Sequence, residues 1–89
     1  MREKFFIVTD SFEIQGRGTA IVGERPTNLS DFKIGSPIVL ISPENKEMMT
    51  EVSDLEFPTT VSGVGLIAVL IKNLNKKDVL VGTKVFLKS

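Results

Sequence analysis

Apolar residues recur at alternate positions along this chain, the period of a β-strand. Phe5 and Ile7, then Phe12 and Ile14, stand at that spacing and predict strands over 5–8 and 12–15, with polar Thr9-Asp10-Ser11 as a bend or bulge between them. Thr19 to Gly23 reads as a third strand, with Ala20 and Val22 on one side and Thr19 and Ile21 on the other. Gly16-Arg17-Gly18 suits the short hairpin turn between the second and third strands, because glycine accepts positive φ. Residues 24–37 are rich in turn formers, with Leu29, Phe32 and Ile34 expected to pin that loop to the core. Ile38 to Ser42 is a continuous apolar strand that tolerates Pro37 at its start. Met48 to Phe57 alternates weakly and is read as one strand; Val64 to Ile71, bounded by glycines, is read as a buried one.

Asn75-Lys76-Lys77-Asp78 places an acid three residues after a capping residue and predicts a single helical turn. Val79–Val81 and Val85–Leu87 flank Gly82 and close the chain as strands. Phe5, Phe12, Phe32, Phe57 and Phe86 all fall where core positions are expected. Six to eight short strands at regular spacing predict an all-β fold, a small closed β-barrel.

Composition narrows the chemistry more than it narrows the fold. A chain of 89 residues argues for one domain, 1–89, with a small core. Its 42% hydrophobic and 25% charged content is that of a folded globular protein. There is no cysteine and no histidine, which excludes disulfides, thiolate and imidazole metal sites, and Ser–His or Cys–His nucleophiles. Catalysis would have to rest on Asp, Glu, Lys, Arg, Ser or Thr, and no activated group can be named among them, so the expectation is a non-enzyme without a cofactor. No signal peptide is evident, and the longest apolar run, 65–71, is far short of the roughly 20 residues a membrane span needs. A cytoplasmic protein without membrane association is expected.

The formal net charge is zero, but the charges are segregated. Glu44, Glu47, Glu51, Asp54 and Glu56 face a single Lys46, while Lys72, Lys76, Lys77, Lys84 and Lys88 face a single Asp78. Both groups read as solvated faces, or else as two surfaces for partners of opposite charge. The acids lack the spacing of a calcium loop. Thr59, Thr60 and Ser62 have no base nearby in sequence and read as loop hydrogen-bonding groups. Arg17, at the hairpin tip, is either an ordinary turn residue or a phosphate contact made together with the glycine amides.

The stretch FEIQGRGTAIVG resembles the opening of the second domain of elongation factor Tu and related translational GTPases, with Phe12, Ile14, Gly16, Arg17, Gly18, Thr19 and Gly23 in the family's places and Asp10 matching a family acid. Phe32-Lys33-Ile34-Gly35, Thr59-Thr60-Val61-Ser62-Gly63 and LIKNLNKKDVLVG at 70–82 are similar to later family segments. Thr9 and Leu66 depart from the family's glutamate and asparagine, and 61–65 looks shortened. No Gly-x-x-x-x-Gly-Lys-Ser/Thr loop is present within these residues, so the expectation is a second domain without an attached GTPase domain.

The resemblance implies an antiparallel Greek-key barrel standing alone. It also implies a binding module that contacts protein or RNA of the translation machinery, ribosomal or transfer RNA included. Asp10, Gly16, Arg17, Gly18, Thr19, Lys72, Lys76 and Lys77 are the expected contact residues. The alternative is a dedicated protein-partner module, immunity or antitoxin-like, using the barrel as a scaffold.

Overall fold

The computed structural model describes residues 5–26 and 33–87. Eight strands form within them: β1 (Phe5–Ile7), β2 (Asp10–Ile14), β3 (Gly18–Glu24), β4 (Pro37–Ile41), β5 (Glu47–Glu51), β6 (Asp54–Glu56), β7 (Leu66–Ile71) and β8 (Lys84–Leu87). All ladders are antiparallel and fall into two four-stranded sheets, ordered β1-β8-β4-β5 and β2-β3-β7-β6. The chain is all-β as its alternation predicts, but the closed barrel is not observed.

The reason lies at two corners. Val8 donates its N–H to Thr83 at the mouth of β8, and the next residue, Thr9, donates to Val22 of β3. Likewise Val52 donates to Ser36 and Ser53 donates to Leu70 of β7. At each corner consecutive residues bond to different sheets, so the edge strand of one sheet runs on as the edge strand of the other. β1 and β2 do not pair with each other, nor do β5 and β6, and both sheets stay open.

The same corner corrects the single strand expected over 48–57. Thr50 pairs with Ile38, whereas Asp54 pairs with Leu70. Val79–Val81 is not a strand either. Val79 donates back to Lys76 to close a 3₁₀ turn over Lys76–Asp78, and Thr83 donates to Leu80 in a further turn. The helical turn forms where the spacing placed it, although Asn75 makes no side-chain cap bond.

The core lies between the sheets. Phe6, Ile38, Leu40 and Val85 from one sheet meet Ile21, Ile67, Val69 and Ile71 from the other, with Val8, Val52, Leu74 and Val79 closing the ends. Thr19 and Ile21 form the inward side of β3 and are fully buried, while Ala20 and Val22 look outward, as their alternation divides them. The phenylalanines divide differently from expectation. Phe12 and Phe57 are 51% and 43% exposed, whereas Phe6, next to the expected Phe5, is in the core. Phe86 is buried and its ring stacks on the half-buried Phe5 at 4.9 Å. Ile34 is exposed and pins nothing; Leu29 and Phe32 lie outside the described residues.

Candidate functional site

The β2–β3 register pairs Ile14 with Gly18, so Gln15-Gly16-Arg17 forms the turn and Gly18 is the first residue of β3. Arg17 closes the turn by donating its N–H to Ile14 at 2.9 Å. Gly16 has φ 77° and Gly18 φ 120°, both in the region that favours glycine. Gly18 carries a second constraint. A Cβ there would run into the carbonyl oxygen of Ile71 and lie 2.8 Å from Lys72 Cα. The absence of a side chain at Gly18 lets the hairpin press onto the end of β7.

Thr19 completes the junction. Its buried hydroxyl donates to the Leu74 carbonyl at 2.6 Å, tying the hairpin to the loop that follows β7. Thr19→Val, which keeps the volume and leaves that carbonyl unpaired, should lower stability by about 1–2 kcal/mol in urea denaturation. A change within a few tenths of that of an exposed control would show that the bond has no structural weight.

This junction frames an open groove of about 610 Å³. Gly16, Arg17 and Gly18 form one wall; Lys72, Asn73 and Asn75 form the other; Leu70 and Leu74 contribute apolar floor; Glu13, Ser53 and Asp54 complete the rim. Arg17 Nη2 donates to Asp54 Oδ2 at 3.4 Å, with both side chains about half exposed. An exposed pair of this kind adds little stability, yet it places a carboxylate beside the guanidinium. Asp54 Oδ1 accepts from the Leu55 N–H, and Ser53 Oγ accepts from the Lys72 N–H. Lys72, Asn73 and Asn75 are exposed, and among the described residues their side chains have no internal hydrogen-bond partner.

The structure therefore divides the residues singled out from sequence. Gly16, Arg17, Gly18 and Lys72 line this groove. Asp10, Lys76 and Lys77 line a second hollow, beside Val79, Leu80 and Val81. Thr19 is sealed inside. Glu13, Ser53 and Asn73 were not anticipated, and Asp54 and Asn75, named for an acidic face and a helical cap, were not expected in this groove. A signal for the asparagines does exist: Asn73-Leu74-Asn75 alternates polar, apolar, polar, and the burial of Leu74 turns both amides outward. Arg17 does not stand in a basic patch, since its nearest charged partner is Asp54, drawn from the supposed acidic face.

The remaining candidates are structural. Thr60 Oγ1 and Ser62 Oγ are 3.0 Å apart and Thr60 Oγ1 accepts from the Val64 N–H, so both hydroxyls stabilise their own loop. Among the described residues no three acidic side chains come together in a way that could hold a metal ion. No helix among them is long and apolar enough to cross a membrane.

Comparison of the chain with protein-family models, with curated proteins and with solved structures gives no match. The likeness to the second domain of translational GTPases is thus left without a relative to carry it, and the closed barrel it implied is not the observed fold. The Gly-Arg-Gly-Thr element is accounted for locally by the turn, by the close approach of Gly18 to Ile71 and by the Thr19–Leu74 bond. A role in the translation machinery and an immunity or antitoxin-like role, both resting on that likeness and its barrel, have no support from these comparisons.

Proposed function

We propose that this domain is non-catalytic and binds a small polar ligand in the groove between the β2–β3 turn and the Lys72–Asn75 loop. The observation that carries the reading is the convergence of unpartnered amide and ammonium groups, Asn73, Asn75 and Lys72, on an open groove whose other rim presents Arg17, Asp54 and Glu13. Two cations and two carboxylates around side-chain amides suit a ligand that itself carries both charges and hydrogen-bonding groups, such as a zwitterionic, peptide-like molecule. A ligand of uniform charge would meet one repelling pair. The absence of any histidine or cysteine, and the use of Thr19, Thr60 and Ser53 hydroxyls in backbone hydrogen bonds, favour binding over catalysis.

The test is a ¹⁵N-resolved NMR titration with diglycine, glutamine and inorganic phosphate as probes. Diglycine or glutamine should move the side-chain amide signals of Asn73 and Asn75 and the backbone signals of Gly16 and Gly18. Asn75→Ala should weaken that binding by about tenfold, the scale of one hydrogen-bonding group lost from a ligand contact. Phosphate shifting the same signals more strongly than the dipolar probes would overturn the charge argument; no localised shift at millimolar probe would remove the site.

A further inference from the structure

The solvent side of the β2-β3-β7-β6 sheet is apolar where a sheet's outer face is ordinarily polar. The register aligns Phe12, Ala20, Leu70 and Asp54 in one cross-strand row and Asp10, Val22, Ala68 and Glu56 in the next. In each row the middle positions on β3 and β7 are apolar and a carboxylate stands at an end. Glu24, one step further along β3 and paired with Leu66, extends the acidic border. Phe12 leaves 51% of its surface exposed, while Ala20, Val22, Ala68 and Leu66 are partly exposed. The alanines leave a shallow trough across the two central strands, with Phe12 standing up on one side.

We propose that this face docks an amphipathic helix of another protein, with its apolar side on the Phe12–Ala20–Ala68 trough and lysine or arginine side chains along its flanks. Covering an apolar sheet face with a helix is the ordinary two-layer solution. Four strands spaced about 4.8 Å apart make a platform about 14 Å wide, enough for one helix of about 10 Å diameter. The border selects the charge of the partner. Asp10, Glu24 and Glu56 are exposed, and Asp54 is half engaged by Arg17. Asp54 and Glu56 along β6, with Glu24 at the end of β3, attract a basic flank and repel phosphate, while Asp10 on the β2 edge stands beside Lys76 and Lys77. A nucleic acid or an anionic membrane is therefore a poor occupant of the β6 side. A second copy of the chain would set acidic border against acidic border. The face and the polar groove share Leu70 and the Arg17–Asp54 pair, and the docking surface does not depend on the groove being occupied.

The probe is a synthetic 18-residue amphipathic helix with leucine on one face and lysine along its flanks, beside a control in which every lysine is glutamate. In ¹⁵N-resolved titrations the lysine peptide should shift signals of Phe12, Ala20, Val22 and Ala68 and leave β4 and β5 unmoved. Its affinity should fall by about tenfold or more in Phe12→Ser, a loss expected when a central apolar anchor is removed. It should fall by a similar factor in the double variant Asp10→Lys with Glu56→Lys, and with rising salt. Both variants alter exposed side chains, and an unchanged circular dichroism spectrum verifies their fold. Equal binding of the glutamate peptide, shifts confined to the other sheet, or indifference to both variants would overturn the proposal. So would concentration-dependent dimerisation abolished by Phe12→Ser, which would name a second copy as the occupant. Stronger shifts of this face by a single-stranded oligonucleotide than by the lysine peptide would exclude the basic helix as well.

Discussion

Gly18→Ala should destabilise the domain by about 3 kcal/mol or more, while Gly16→Ala, two residues away in the same hairpin, should cost about 1 kcal/mol. Both glycines have positive φ, so both substitutions incur backbone strain. Only Gly18 adds a steric conflict. Nothing lies within 4 Å of a Cβ built on Gly16, whereas one on Gly18 meets the Ile71 carbonyl oxygen and the Lys72 backbone. Ile71 belongs to the β3–β7 ladder, where it pairs with Thr19, and Lys72 follows it directly, so these atoms cannot recede without disturbing that pairing. Domains of this size have only about 5–15 kcal/mol of stability in total, so the variant should show a large fall in the urea midpoint. Equal midpoints for the two variants would mean that the backbone yields and that the close approach is not a constraint.

Phe6→Ala should cost about 3–5 kcal/mol, against less than about 1 kcal/mol for Phe12→Ala. Phe6 is 2% exposed and packs among Val8, Ile21 and Val85 in the core between the sheets; Phe12 stands on an outer face with half its surface in water. The loss at Phe6 combines the transfer free energy of a whole ring with a cavity that the flanking strands cannot fill by collapse. Thermal denaturation of the two variants side by side measures the contrast. Comparable losses would place Phe12 in a packed environment and would remove the exposed trough on which the helix-docking face rests.

That pair also shows where sequence reasoning stopped. Strand positions were legible because alternation is local: the inward Thr19 and Ile21, the outward Ala20 and Val22, the turn at Gly16, and the 3₁₀ turn at 76–78 all follow from short-range chemistry. Which side of a strand faces the core is not local when both sides carry apolar residues. β1 offers Phe5 and Ile7 on one side and Phe6 on the other, and only the pairing with β8 decides between them. β2 offers Phe12 and Ile14, whose spacing suggested burial, yet the buried residue is Ser11 on the opposite side.

The corners were invisible for a related reason. Val52-Ser53 looks like continued alternation, but consecutive backbone groups there bond to different sheets. The same distinction separates an open pair of sheets from a closed barrel, since strand count alone is common to both. The groove was half legible. Arg17 and Lys72 were singled out for their charge, but Asp54 reaches Arg17 only because β6 and β3 both pair with β7.

The placement of β8 has a consequence for how this chain emerges during synthesis. The last of the described strands, Lys84–Leu87, is not at the margin of its sheet but between β1 and β4. Every strand of the β2-β3-β7-β6 sheet has been made by Ile71, whereas the other sheet lacks a middle strand until residue 87 has left the ribosome. For that interval the inward faces of Ile21, Ile67, Val69 and Ile71 lack Val85, and Phe6 on β1 has no strand to join it to Ile38 and Leu40 on β4. Pairings between distant segments form slowly, and an uncovered apolar sheet is the kind of species that aggregates or engages chaperones. Completion of the two-layer core therefore waits on β8, the last of the described strands.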